Sequence, residues 1–267
     1  MNVRSVGILL LALAVGVGGF VVFFLGVGMP VSHTSYYQYD GTIATNETLH
    51  NVTVYLPLPT ENGAALVDAA NVTVETEDGA ADWDVAVVDT PHGPMLALTA
   101  DRVEGERYYL VHEFDENGSH VSWEKVPEDE LPADMTNKKA YPEPTYYRFS
   151  VSVWLDDRVD VVDPVANASV LRPVENLTPG ACEPYWENDE NAACATFETP
   201  AYVQYDTTAD NVVRLSVEQR GVNEWGYGLS NSFNEFVQEA EGHYAGSQDG
   251  WVTMEGQLYT GLGDETR

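Results

Sequence analysis

The sequence predicts a mainly β protein: an antiparallel β-sandwich ectodomain with one short helix, preceded by a single N-terminal transmembrane helix. Three observations predict it. The run Val6–Gly28 is uncharged and overwhelmingly apolar. Many short segments after it alternate apolar and polar residues and are divided by Gly, Pro, Asn and Asp, which is the spacing of all-β sandwiches. Only one later stretch, Ser232–Glu241, carries a helical period.

Residues 6–28 are long enough, at about 1.5 Å per residue, to cover the roughly 30 Å hydrocarbon core of a bilayer. A cleaved signal peptide has a shorter apolar region, about 7–15 residues, and a small-residue cleavage site. Here the run is longer and Met29-Pro30-Val31-Ser32 follows it, so an uncleaved signal anchor fits better. No cysteine stands near its end for a lipid anchor, and no twin arginine precedes it. Arg4 lies before the run and the next basic residue is Arg102. The positive-inside rule then makes residues 1–5 a cytoplasmic stub and places an extracellular β-rich domain over 36–267.

Strand candidates follow in order: Tyr37–Ala44, Asn51–Leu56, Asn71–Glu75, Trp83–Val88, Met95–Leu98, Arg107–Phe114, Tyr147–Leu155, Ala201–Tyr205, Val212–Glu218 and Trp251–Tyr259. In the second, Val52, Val54 and Leu56 share one face while Asn51, Thr53 and Tyr55 share the other. Residues 127–144 hold Pro127, Pro132, Pro142 and Pro144 among charges, and mark an internal boundary or long loop. Ser232 and Glu235 form a capping-box pattern, and Phe233, Phe236, Val237 and Ala240 fall at i, i+3, i+4 and i+7. Gly242 would end that helix.

Charge is the dominant compositional property. The chain has 43 acidic and 12 basic residues, a formal net charge of −31, and its only lysines are Lys125, Lys138 and Lys139. With 15 Tyr, 6 Trp and 8 Phe it is too aromatic for a disordered acidic chain. Nucleic acid is excluded as a partner, because its phosphates would be repelled. High Asp and Glu with almost no Lys resembles the secreted proteins of extremely halophilic archaea. The run Leu49-His-Asn-Val-Thr-Val-Tyr-Leu-Pro-Leu-Pro59 is similar to segments of membrane-anchored haloarchaeal surface proteins that carry no established activity. The resemblance implies a habitat and an anchored surface location, and no catalytic residue.

Cys182 and Cys194 are the only cysteines, and outside the cell a pair this close reads as a disulfide. Six sequons, at Asn46, Asn51, Asn71, Asn117, Asn167 and Asn176, are more than chance supplies and are candidate glycosylation sites. Between the cysteines, Glu183, Glu187, Asp189 and Glu190 can offer oxygen ligands to Ca²⁺, which takes six to eight. The plainer reading of that cluster is a solvated acidic surface. Tyr185-Trp186 and Trp225-Gly-Tyr-Gly228 are either sandwich core or exposed stacking groups.

Catalytic signatures are absent. His112-Glu113 is not followed by a second histidine at metalloprotease spacing, and there is no nucleophile elbow, P-loop or C-x-x-C. The expected function is therefore a membrane-tethered, glycosylated cell-surface protein with a structural or interaction role in a halophile envelope, with no enzymatic activity and no cofactor. Its partners are the membrane and an envelope protein or glycan. The alternative is an extracellular binding domain for Ca²⁺, glycan or a small solute.

Overall fold

The first strand sets the geometry. In the computed structural model, which describes residues 32–76, 80–180, 192–227 and 230–263, β1 runs from Ser32 to Thr45. From Ser35 to Ile43 its side chains alternate between buried and half-buried, which is what a strand with one core face requires. It pairs antiparallel on one side with β10 (Thr145–Leu155) and on the other with β14 (Val212–Tyr227). The chain is mainly β, as its alternation predicts.

Thirteen strands join one antiparallel sheet. Besides these it contains β2 (Leu49–Glu61), β4 (Thr73–Thr76), β5 (Asp84–Thr90), β6 (Gly93–Val103), β13 (Ala193–Asp206), β15 (Ser230–Ala245) and β16 (Gln248–Gly263). The main path runs β4-β10-β1-β14-β15-β16-β13-β2-β6-β5. Short strands β3 (Ala64–Ala65) and β11 (Val170–Arg172) pair with β2, and β12 (Glu175–Pro179) pairs with β13. The sheet curls until its ends meet. Trp83, just before β5 at one end of the path, packs edge-on against Phe149 and Tyr147 of β10 near the other end, at 5.2 and 5.8 Å between ring centroids. The curl encloses a core that includes Tyr39, Ile43, Leu56, Leu98, Phe149, Leu215 and Phe236, none more than 1% exposed.

The chain between β10 and β11 crosses this curl with Val159 and Val161 buried in its core and Val162 exposed, and it is held by buried side-chain amides. Asn223 accepts from the Val159 N–H and donates to the Val159 carbonyl, both at 2.9 Å. Gln238 does the same for Leu171, accepting at 2.8 Å and donating at 3.3 Å. Gln219 donates to the Ser169 carbonyl at 2.6 Å, and the Tyr37 hydroxyl accepts from the Ser169 N–H at 3.1 Å. Each amide presents a donor and an acceptor side by side, as a strand edge does, so buried backbone is satisfied without a further strand. One short helix, α1 (Pro164–Asn167), lies in this crossing segment, where the sequence predicted none.

The helix expected at Ser232–Glu241 is instead the centre of β15. Its i, i+3, i+4, i+7 stripe also describes a strand buried on both faces. Phe236 and Ala240 enter the main core, while Val237 joins Tyr259 and Leu262 in a second cluster on the opposite face. β14 pairs along its entire length and β16 along most of it, so the backbone groups that a helix would satisfy locally are met largely across strands. Gly221, directly opposite Phe236, leaves the space that the ring fills: a Cβ there would collide with both Phe236 and Val159. Gly242 is an interior strand residue opposite Leu215.

A second sheet of three strands, in order β8-β7-β9, is inserted between β6 and β10. It comprises β7 (Tyr108–Phe114), β8 (His120–Pro127) and β9 (Lys138–Glu143). Residues 127–144, read from their prolines as a boundary or loop, contain a 3₁₀ turn at Glu128–Glu130 and the whole of β9.

The small sheet is attached at the end of the main sheet opposite to the start of β1. Ser35, Asn223, Asn234 and Gly263 form one cross-strand row at the end where β1 starts. The inserted sheet leaves β6 at Val103, which pairs with Leu49, and returns at Thr145, which pairs with Thr45. Thirteen steps of about 3.3 Å along β1 put roughly 43 Å between those ends. Among the described residues no helix is long and apolar enough to cross a membrane. The predicted transmembrane helix at 6–28 lies outside the described residues.

Candidate contact face on the small sheet

Every lysine of the chain is on the small sheet: Lys125 on β8, Lys138 and Lys139 on β9. Register decides which of them share a face. His112 of β7 stands opposite Trp123 of β8 and Lys139 of β9, and Leu110 stands opposite Lys125 and Tyr141. Residues directly opposite each other project to the same side. One face therefore carries Tyr108, Leu110, His112 and Phe114 flanked by Trp123, Lys125, Lys139 and Tyr141. Of these, Trp123 is 62% and Tyr141 48% exposed. The other face contains Val111, which is buried. A register shift lets Ser122 pair with Glu113 and His120 with Phe114, leaving Val121 as an unpaired extra residue, 62% exposed.

The cations and rings on this face are in contact. The Lys125 ammonium lies 4.6 Å from the centroid of Tyr108, and that of Lys139 lies 5.4 Å from the centroid of Phe114. Both fall within the range of a cation–π attraction. His112 Nδ1 and His120 Nε2 are 3.0 Å apart, and the Tyr141 ring meets His112 edge-on at 5.4 Å. The base of the sheet is tied to the body by Arg107, which reaches Glu47 at 3.3 Å and Glu128 at 3.6 Å. The Glu106 N–H also donates to the buried Thr145 hydroxyl.

The main sheet also carries aromatics on its outside, in different settings: Tyr36 of β1 meets Trp154 of β10 at 5.0 Å, with Trp154 68% exposed. Tyr55, Tyr202 and Trp251 lie side by side across β2, β13 and β16, and Tyr55 and Tyr202 stack at 5.0 Å. His92 packs on Trp251 at 4.5 Å, and the Tyr202 hydroxyl donates to Asp249. An outer groove further along the same sheet holds Asp40, Glu218, Glu239, Glu241 and Glu255 with Arg148 and Arg214. Burial, with Glu218 close by, pushes the carboxyls of Asp40 and Glu239 up from their ordinary range.

The residues expected to matter are scattered. Asn51, Asn71, Asn117, Asn167 and Asn176 are exposed, whereas Asn46 is half-buried with its amide oxygen enclosed. Asn71 ends a 3₁₀ turn rather than opening a strand, which starts at Thr73. Asn51, Asn167 and Asn176 donate to Asp206, Asp160 and Glu198. Trp225 is buried core, with the Arg158 guanidinium over its ring. Cys194 is not a free thiol. Its expected partner Cys182 lies outside the described residues, as do the calcium candidates Glu183, Glu187, Asp189 and Glu190, and Tyr185-Trp186. Among the described residues no group of three or more His, Cys, Asp or Glu is placed to hold a metal ion. No family profile, curated protein or solved structure matches the chain.

The small-sheet face was missed in the sequence. Its signal was there in the confinement of all three lysines to residues 125–139, beside Trp123 and Tyr141.

Proposed function

We propose that this chain is a single-pass, membrane-tethered, glycosylated surface protein of a halophile envelope, and that its small sheet is a contact surface held at the outer end. The domain is read as a sandwich in which the curled sheet faces itself across one core. The observation that carries the proposal is the exposed Trp123 and Tyr141 face on an insertion at the end opposite to Ser32. An apolar run over 6–28 leaves only Met29, Pro30 and Val31 before β1, so the start of β1 sits at the membrane surface. Exposed sequons at Asn117, Asn167 and Asn176 suit an extracellular location.

The test has two parts. Protease added to intact cells should release a fragment beginning near residue 30; protection until lysis would reverse the orientation. Full-length chain captured from native membranes in high salt should retain envelope components, and Trp123→Ala should lose them. Equal recovery with both forms would remove the contact role.

A further inference from the structure

We infer that His112 and His120 form a two-imidazole site for a divalent transition metal, of which Cu²⁺ fits best. The inference goes beyond the contact role proposed above and does not depend on it.

The backbone brings the two rings together. His112 of β7 stands opposite Trp123, and Phe114 stands opposite His120. In unbroken alternation His120, three residues before Trp123, would fall on the far face of the sheet. The extra residue at Val121 turns it onto the face of His112, which is the re-aiming that a bulge performs. The two histidines are then diagonal neighbours across β7 and β8, within reach of long side chains. His112 Nδ1 and His120 Nε2 lie 3.0 Å apart while the ring centroids lie 5.0 Å apart, so the two nitrogens are on the facing sides of the rings.

Their partners set the pair apart. His243 is matched to Glu241, and His33 to the Ser35 hydroxyl. Among the described residues, His112 and His120 hydrogen-bond only to each other, and the rings packed on them are Tyr141 for one and Phe114 for the other. A metal ion therefore displaces one shared hydrogen bond and no carboxylate partner. The ring that donates that bond moves its proton to its other nitrogen through solvent. Two neutral imidazoles then present lone pairs to one ion.

Distance selects the metal. Imidazole suits Zn, Cu, Fe and Ni, whereas Ca²⁺ and Mg²⁺ take oxygen ligands. Two bonds of about 2.0–2.1 Å at a right angle span about 2.8–3.0 Å, and a tetrahedral angle needs about 3.3 Å. The observed 3.0 Å is that of adjacent positions on a tetragonal ion. Cu²⁺ is tetragonal and the strongest binder of its series. Water completes its coordination. A net charge of −31 concentrates cations around the chain. Lys139, opposite His112, opposes this locally, but its ammonium lies over the Phe114 ring and molar salt cuts its reach to about 3 Å.

The test is calorimetric titration of full-length chain in detergent micelles with CuCl₂, in about 1 M KCl with excess Ca²⁺ to occupy carboxylates. One Cu²⁺ should bind per chain. His112→Ala and His120→Ala should each weaken it about a hundredfold, the scale of a lost chelate. His243→Ala should bind as wild type. Trp123, whose Cβ in an opposite pair lies about 4.5–5.5 Å from that of His112, should lose its fluorescence to the bound ion. Trp123→Phe should keep the affinity and remove the largest part of the quenching.

Affinity indifferent to either histidine, or lost in His243→Ala, overturns the inference. So does binding abolished by Ca²⁺, or quenching unchanged in Trp123→Phe. Zn²⁺ held more tightly than Cu²⁺ would overturn the metal assigned to the pair. The two histidine variants and the quenching are separate measurements, so one variant that fails to fold leaves the others decisive.

Discussion

Phe149 and Trp123 hold their rings in opposite settings. Phe149 is wholly enclosed between β1, β4 and Trp83. Trp123 is 62% exposed, on a sheet that places lysines and rings together on its open side. Both sheets are antiparallel and both are aromatic. The difference shows that aromatic content says little about role until register has sorted rings into enclosed and open faces. It also divides labour: the curled sheet can be damaged by losing volume, the small sheet by losing surface chemistry.

The largest expected effect tests that division directly. Phe149→Ala should cost about 3–5 kcal/mol of stability, as for other buried aromatics, and Trp123→Ala less than about 0.5 kcal/mol. Urea unfolding of the two variants measures both, and similar losses would end the distinction. Next come the amides. Asn223→Leu leaves the Val159 N–H and carbonyl without partners and also removes bonds to Ser35 and Asn234. At about 1–3 kcal/mol for each orphaned buried group, the loss should exceed 2 kcal/mol. A midpoint unchanged by this substitution would show that the crossing segment does not depend on its amide clamp.

Salt should act on the whole body. Raising KCl from about 0.1 to about 3 M shortens screening from about 10 Å to below about 3 Å, and the thermal midpoint, read by circular dichroism, should rise. A midpoint that does not move would discard the halophile reading.

The smallest effects are two of opposite sign. Asp160 accepts from the N–H groups of Asp163 and Val162 and from Asn167, and these bonds hold its carboxyl below the usual range. A lowered folded pKa stabilises above the unfolded value of about 3.9 and is lost as pH falls through the folded one. Asp160→Asn should therefore lower the midpoint at pH 7 and not at the acid end, by less than about 1 kcal/mol for so exposed a group. Burial raises the carboxyl of Asp40, so its ionised form burdens the fold at neutral pH and is relieved as pH falls. Asp40→Asn should raise the midpoint at pH 7, with the gain vanishing in acid. Parallel melts across pH 3–7, a range chosen to bracket the usual carboxylate values, separate the two.

The ten strand candidates overlap observed strands, most of them because they alternate between a wet side and a dry side; β4 is the exception, exposed at all of its residues. β15 broke that rule: Phe236 and Val237 are both buried, on opposite faces, so the apolar residues lose their period of two and imitate a helix. β8 and β9 gave the opposite difficulty. His120–Pro127 is exposed along most of its length, and Lys138–Glu143 contains Pro142, so neither shows the apolar alternation that marks a strand. The contact face was legible only as a list of residues. Its assembly depends on Trp123 and Lys139 both falling opposite His112, and on one extra residue at Val121. Register across strands about 27 residues apart is a property of the folded sheet and leaves no local trace.

β1 has a mechanical meaning as well. A pull on the small sheet, resisted at the start of β1, runs lengthwise along that strand. The bonds to β10 and β14 lie across the line of force, from Ser35 to Thr45 on one side and from Ser32 to Ala44 on the other. They are loaded in shear, all together, rather than opened one by one from an end. In a chain tethered as proposed, the domain would act as a tension-bearing rod whose weak link is its tip: the base held by Arg107, Glu47 and Thr145 should yield before the strand that joins it to its root.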